Sequence, residues 1–284
     1  MKKNEPGTRV YPLLITGVFL ALLLCFSVTA WAAQPEANKP PLKTQLIDDM
    51  KDKMEIVYVI PRPATIQSAL ESYEFTFTGD ITPNFTDSYT SGTKIALNLG
   101  ARCSDGIMMV FGSQPVDPRD LEKLGAMILK FTEKLGLKED LQEIDSFKTA
   151  LKSQDHEKIR HHIDLLFAEA ETVLRTKGDN SMAMLVSLGG WVELLYLVSD
   201  ELVRNYHAES SKILSMDYIV DIYIRTLQNL ELMVKDSPAL SAIAGKLPEI
   251  KKHMYNPDDQ PLPLEKIQTI HAIAANLKQA IETP

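Results

Sequence analysis

Residues 89–112 read YTSGTKIALNLGARCSDGIMMVFG, and apolar or small side chains cover nearly the whole circumference of the helix they predict. At about 100° per residue, Lys94, Asn98, Arg102 and Asp105 fall in one polar stripe about 80° wide. A helix with so little polar surface is normally surrounded by other helices. The stretch therefore predicts a central helix in an all-α protein.

Residues 181–206 predict a second apolar helix. Glu193 is the only charged residue between positions 182 and 198 of the sequence. The two apolar helices share a short pattern, since Asn-Leu-Gly ends at Gly100 and Ser-Leu-Gly ends at Gly189. We expect both glycines to lie where helices approach each other closely. A leucine at either position should then overpack the contact.

The remaining segments show helical spacing of apolar residues, and no run of alternating residues indicates a strand. The sequence predicts a single helical domain at 42–284, a globular bundle of about eight or nine helices around the two apolar ones. The other predicted helices are Leu42–Glu55, Ala64–Ser72, a helix capped by Asp117 that runs to Leu135, Lys138–Ser153, Asp155–Lys177, Ser210–Lys235, Pro238–Met254 with a break near Pro248, and Leu264–Ile281.

The amino-terminal segment resembles a signal peptide. A basic start precedes the apolar run Leu13–Val28, and Ala30-Trp31-Ala32 then supplies small residues where a signal peptidase acts. We expect residues 1–33 to be a cleaved signal peptide and residues 34–41 to be a polar spacer. The alternative is an uncleaved segment, with residues 13–28 anchoring the protein to the inner membrane. Export predicts a periplasmic or secreted bacterial protein.

The charge of the chain limits its partners. Cleavage after residue 33 removes Lys2, Lys3, Arg9 and Glu5, which changes the formal net charge from −8 to −10. This balance argues against nucleic acid or an anionic membrane surface as a partner, because both require clustered basic residues.

Cleavage would also leave Cys103 as the one cysteine, so the mature chain cannot form an intramolecular disulfide. Cys103 lies on the apolar side of its helix, and we expect it to be a buried small hydrophobe.

The polar stripe of the first apolar helix is the best candidate for a site. The simpler interpretation is that Lys94, Asn98, Arg102 and Asp105 form the narrow solvent face of a mostly buried helix. The alternative is that they line an internal cleft, where Arg102 and Lys94 could bind an anionic group. A lone carboxylate in an apolar helix needs a partner, so we expect Glu193 to lie close to this stripe, with Arg102 or Lys94 as its counter-charge.

Motifs for metals and cofactors are lacking in the sequence. His156 and His161 resemble a zinc-protease pair, but their spacing of five residues puts them about 140° apart on a helix, on different faces. The sequence contains no phosphate-binding loop, dinucleotide fingerprint, nucleophile elbow or Cys-x-x-Cys. We therefore predict neither a metal nor a cofactor.

Short motifs resemble those of a set of exported bacterial helical proteins that have no assigned activity. The motifs are Pro63-x-x-Ile66-x-x-x-Leu70, Tyr89, Lys94-x-Ala96-Leu97-Asn98-Leu99-Gly100, Ser104-Asp105 and the segment Gly189–Glu193. The resemblance implies an all-α fold and export, and it implies no chemistry.

These observations leave three hypotheses open. The first is an exported, non-catalytic helical protein that binds a protein partner or a small ligand, with a site at Lys94, Asn98, Arg102, Asp105 and Glu193. The second is an enzyme that uses Lys94, Arg102, Asp105 and Glu193. The third is an accessory subunit of an envelope complex, anchored by an uncleaved amino-terminal segment.

Overall fold

A computed structural model of the protein describes residues 69–284, all of which fall within the unit Met50–Pro284. The signal peptide predicted at 1–33, the spacer at 34–41 and the helix predicted at Leu42–Glu55 lie outside the described residues. Helices hold 74% of the described residues, and no strand occurs among them, so the predicted all-α class is confirmed.

The described residues begin within a helix that ends at residue 72, and ten α-helices follow it. Eight of the ten have seven residues or more, close to the predicted number. They are α1 (Gly92–Phe111), α2 (Pro118–Lys134), α3 (Ile144–Ser153), α4 (His156–Thr176), α5 (Asn180–Arg204), α6 (Ala208–Ser211), α7 (Asp217–Asn229), α8 (Glu231–Asp236), α9 (Pro238–Met254) and α10 (Leu264–Glu282).

Local sequence signals set most helix starts. Ser91, Asp117, Asp155 and Asp179 each accept a hydrogen bond from a first-turn amide of the helix that follows. Such caps satisfy amides that have no partner within the helix. Gly178, which precedes the cap of α5, has a φ of +83°, a conformation that glycine adopts without strain.

Two predictions about the carboxyl-terminal half are wrong. The single helix expected at Ser210–Lys235 is divided into α6, a 3₁₀ turn at Lys212–Leu214, α7 and α8. Serine hydroxyls near the first break bond to distant groups: Ser211 accepts from the Leu262 amide at 2.8 Å, and Ser215 accepts from Asn256 at 2.9 Å. Ser211 also donates to the carbonyl of Ala208 at 2.6 Å, and local bonds of this kind compete with regular helix. The break expected near Pro248 is absent, because α9 continues through it.

Glycines bring α1 and α5 into backbone contact. A Cβ atom at Gly100 would lie 1.8 Å from the Val186 carbonyl oxygen, and one at Gly189 would lie 1.9 Å from the Leu97 carbonyl oxygen. Neither position can accept a side chain unless the helices separate. The close approach expected at both glycines is confirmed.

The two apolar helices form the centre of the described part of the chain. α5 packs against α1, α4 and α10; α1 also packs against α2 and α4; and α9 joins α10 to α7 and α8. Contacts of Lys278 with Glu193 and of Tyr206 with Leu262 show that α10 runs antiparallel to α5. The carboxyl-terminal end of α10 therefore reaches the polar stripe of α1.

Candidate functional site

Arg102 is the centre of a buried group of charges between α1, α5 and α10. Its Nη2 atom lies 2.5 Å from Glu282 Oε1 and 3.7 Å from Glu193 Oε2, and its Nε atom lies 3.1 Å from Asp105 Oδ2. Its Nη1 atom donates to the Asn84 carbonyl at 2.7 Å. The arginine side chain is 1% exposed, so these protein groups take the place of the water that would otherwise solvate the guanidinium.

Lys278 completes this group from α10. Its Nζ atom donates to both carboxylate oxygens of Glu193, at 2.6 and 2.7 Å, and to Glu282 Oε1 at 2.9 Å. We call Arg102, Asp105, Glu193, Lys278 and Glu282 the Glu193 cluster. Each of the three helices contributes at least one charged residue to it, so the cluster fixes their relative positions.

The charges of the Glu193 cluster do not balance. Among the described residues it contains three carboxylates and two cations, which leaves an excess negative charge if all five groups are ionised. Neither Oδ atom of Asp105 accepts a hydrogen bond from a described group, although the residue is 1% exposed. An uncompensated buried charge is costly.

The pKa values reflect this arrangement. Burial raises the pKa of Glu193 well above its ordinary value, and the neighbouring Asp105 raises it further against the opposing effects of Lys278 and Arg102. Burial also acts to raise the pKa of Glu282, but Arg102 and Lys278 outweigh it, so the net shift is downward. Two carboxylates in one cluster are thus shifted in opposite directions.

The other two residues of the stripe bind the end of α10. Lys94 Nζ donates to the carbonyl oxygens of Ala280 at 2.6 Å and Thr283 at 2.5 Å, and Asn98 Nδ2 donates to the carbonyl of Ile281 at 3.0 Å. The last carbonyls of a helix have no partner within the helix and carry its negative dipole end. Lys94 and Asn98 therefore act as a cap for α10 supplied by another helix.

The solvent-face interpretation of the stripe is wrong. Asn98, Arg102 and Asp105 are each 1% exposed, because α10 covers them. The structure brings Glu193 to the stripe, but its direct partner is Lys278, with Arg102 farther away and Lys94 engaged elsewhere. A ligand-binding role for these residues stays a hypothesis.

Sequence reasoning missed Lys278 and Glu282. Both lie at the edge of the apolar face of α10, where Lys278 follows the buried Ala274 by four residues and Glu282 follows Lys278 by four. An i,i+4 charge pair beside an apolar face is a weak signal that the pair is partly covered.

A second buried carboxylate, Glu201, lies two turns farther along α5 and was also missed. It accepts hydrogen bonds from the amides of Thr78 and Gly79 at 3.0 Å, from Thr78 Oγ1 at 2.7 Å, from Asn205 at 2.8 Å and from Arg204 at 3.2 Å. We call these five residues the Glu201 cluster. Burial acts to raise the pKa of Glu201, but the bonds from Asn205 and Thr78 lower it below its ordinary value.

An open groove of about 680 Å³ lies beside the cap of α10. Its walls include the start of α1 with Lys94, the exposed residues of α8 and the start of α9. Leu232 of α8 is 78% exposed in this region. The other lining residues are Ser88, Tyr89, Thr90, Ser91, Thr93, Met233, Asp236, Ser237, Pro238, Ala239, Ala280, Thr283 and Pro284.

Other candidate nucleophiles and ligands have structural environments. Cys103 is fully buried, and burial raises the pKa of its thiol, so it is held as the neutral thiol. Ser199, near His271, donates its hydroxyl to the Leu195 carbonyl of its own helix at 2.6 Å. Among residues 69–284, no three His, Cys, Asp or Glu side chains are grouped as metal ligands.

Comparison of the chain with protein-family profiles, curated proteins and solved structures gives no match. The resemblance to exported bacterial helical proteins therefore stays an expectation. Within the described residues, α5 is long and apolar enough to span a membrane, but 83% of its most apolar window is buried in the protein. We interpret α5 as a core helix of a bundle.

Proposed function

We propose that this protein is an exported, non-catalytic helical protein that binds a small anionic amphiphile in the groove between α1, α8 and α9. Lys94 carries the proposal, because it is the residue of the predicted site that lines this groove. Arg102, Asp105 and Glu193 are buried and contact other charges of the chain, which favours a structural role for them over direct contact with a ligand.

The chemistry of the groove supports an anionic head group. The groove contains the amino-terminal ends of both α1 and α9, where the hydroxyls of Ser91 and Ser237 each accept from one first-turn amide. Helix amino termini carry a partial positive charge that favours anions. Lys94 adds a full positive charge, which also binds the carbonyls of Ala280 and Thr283 at the end of α10. Asp236 and that carbonyl end of α10 oppose it.

The rest of the groove supports an apolar body for the ligand. Leu232, Met233, Pro238 and Ala239 supply carbon surface at its wall. Its volume of about 680 Å³ falls within the usual range for small-molecule sites. A protein partner that inserts an apolar side chain beside a carboxylate is the alternative occupant.

Binding of decanoate, decanol and decyltrimethylammonium to the mature protein tests the proposal by calorimetry. We expect decanoate to bind more tightly than the neutral and cationic compounds of equal chain length. Leu232→Glu should weaken decanoate binding at least about tenfold, since it removes apolar contact and adds a like charge. Tyr255→Glu changes an exposed aromatic that does not line the groove and should leave affinity unchanged. Equal affinity for the three compounds, or an equal loss in both variants, would contradict the proposal.

Export is tested separately by the amino-terminal sequence of the mature protein. A start at Ala33 or Gln34 supports a cleaved signal peptide. An intact Met1 in the membrane fraction supports the anchored alternative.

A further inference from the structure

The cluster at the end of α10 contains one more carboxylate than it has cations. Glu193 is 2% exposed and Asp105 is 1% exposed, so water does little to stabilise the excess charge. Arg102 and Lys278 are already shared among three carboxylates. Uptake of one proton would make the cluster neutral. Carboxylates held in one site commonly bind a shared proton, because one of their pKa values is raised.

We propose that the Glu193 cluster is a proton-dependent latch: a proton on Glu193 fastens the carboxyl-terminal end of α10 to α1 and α5, and loss of that proton loosens it. The charged and titratable groups that face Glu193 come from α1, from α10 and from α5 itself. They are Arg102 and Asp105 of α1, Lys278 and Glu282 of α10, and Tyr196 of α5 itself, while Tyr89 donates to the Glu282 carbonyl.

Glu193 is assigned the proton because it is 2% exposed and shares both of its cations with other carboxylates, Lys278 with Glu282 and Arg102 with Asp105 and Glu282. Lys278 bonds to both of its oxygens, so protonation releases one of those two bonds. Burial and the nearby Asp105 raise its pKa, whereas Glu282 has a lowered pKa beside the same two cations. Lys278 lies 2.9 Å from Glu282 Oε1, so its ammonium keeps an ionised partner when Glu193 is neutral. The ion pair between Arg102 and Glu282 likewise persists.

The two opposite pKa shifts define the pH range of the latch. A carboxyl with a raised folded-state pKa binds its proton more tightly in the folded chain, so its contribution is lost as pH rises through that pKa. A carboxyl with a lowered pKa, as in Glu282, contributes above its unfolded-state value and loses the contribution as pH falls through its folded pKa. The latch is therefore tightest in mildly acidic solution and weakens on both sides.

The latch lies next to the groove. Glu282 is in the cluster, while Ala280 and Thr283 line the groove and bond to Lys94. Loosening the last turn of α10 would displace one wall of the groove. This consequence for ligand binding rests on the proposed function, whereas the latch itself does not.

The decisive experiment compares the thermal unfolding of the wild type and Glu193→Gln from about pH 5 to about pH 8 without ligand. We expect the melting temperature of the wild type to fall across this range and that of Glu193→Gln to stay level, so that the variant melts above the wild type at the alkaline end. If Glu193 is an ordinary ionised partner of Lys278, the variant will melt below the wild type at every pH, and the proposal is overturned.

Glu201→Gln is the matched control, since it alters a buried glutamate of the same helix whose pKa is lowered. It should melt below the wild type by a similar margin across this range, and the difference should shrink only as the pH falls further, through the lowered folded-state pKa of Glu201. If Glu193→Gln does not fold, a titration of the wild-type protein still tests the proposal. Carbon NMR of the side-chain carboxyls should show the Glu193 carboxyl titrating above its ordinary value of 4.5. Titration of that carboxyl at or below 4.5 would overturn the proposal.

Discussion

Glu193 and Glu201 are two buried carboxylates of one helix, and their surroundings differ in kind. Glu201 accepts hydrogen bonds from two backbone amides, a hydroxyl, a side-chain amide and a guanidinium, all of which favour its ionised form. Glu193 is bound by Lys278, but it shares its cations with Asp105 and Glu282. Glu201 therefore has several donors to itself, whereas Glu193 competes with two other carboxylates for two cations.

This difference gives the Glu201 cluster a purely structural role and makes the Glu193 cluster the candidate for a response to pH. The Glu201 cluster joins α5 to the segment at Thr78 and Gly79, and it gains stability from its charge at neutral pH. The Glu193 cluster joins three helices, but its charge is a source of strain that a proton relieves. Burial alone does not distinguish the two sites, because both residues are at most 2% exposed.

The largest expected effect is that of Arg102→Met, which leaves three carboxylates, two of them fully buried, with Lys278 as their remaining cation in the cluster. We expect the free energy of unfolding to fall by about 3–5 kcal/mol at neutral pH, because breaking a buried charge network exposes the partners that remain. Chemical denaturation measures the loss. Adding Glu193→Gln should recover part of it, since the double variant contains one negative charge fewer. Simple additivity of the two changes would show that Arg102 and Glu193 are not coupled.

Gly100→Ala tests the helix contact that brings the Glu193 cluster together. A Cβ atom at this position would lie 1.8 Å from backbone, so α1 and α5 must separate, at a cost of about 3 kcal/mol. Gly245→Ala is the matched control, because a Cβ atom at this glycine of α9 has no neighbour within 4 Å. That change should be neutral or stabilising by about 0.5 kcal/mol. Similar unfolding midpoints for the two variants would contradict the backbone contact.

The main architecture follows from local sequence, whereas the site depends on distant pairings. The apolar circumference of α1, the glycines at 100 and 189 and the isolated Glu193 suffice to predict two central helices in contact. Lys278 and Glu282 could not be assigned, because their role depends on α10 running antiparallel to α5. Glu201 was missed for a different reason: its main partners are backbone amides at Thr78 and Gly79, and every sequence has such groups.

Glu201→Gln tests the carboxylate whose surroundings favour its ionised form. Both oxygens of Glu201 accept from donors, Oε2 from the amides of Thr78 and Gly79 and Oε1 from Thr78 Oγ1 and Asn205, so in either orientation of the new amide at least one buried donor loses its acceptor. We expect a loss of about 2 kcal/mol at neutral pH, and the loss should fade as the pH falls through the lowered folded-state pKa of Glu201. Asp200→Asn is the control, because it changes the neighbouring, partly exposed partner of Arg204 and should cost about 0.5 kcal/mol. A larger loss in Asp200→Asn than in Glu201→Gln would show that the ion pair of Asp200 with Arg204 contributes more stability than Glu201 does.

The smallest expected effect is that of Lys94→Met, which asks whether the cap or the Glu193 cluster holds the end of α10. The ammonium of Lys94 donates to the carbonyls of Ala280 and Thr283, and it lies at the negative end of the helix dipole. Its removal should lower the free energy of unfolding by about 1 kcal/mol and speed hydrogen exchange in the last turn of α10, with little change elsewhere. Lys246→Met alters an exposed ion pair with Glu249 and should leave exchange in α10 unchanged. If Lys94→Met instead destabilises the protein as much as Arg102→Met, the cap and the cluster act as one unit, and the pH response assigned to Glu193 should then also depend on Lys94.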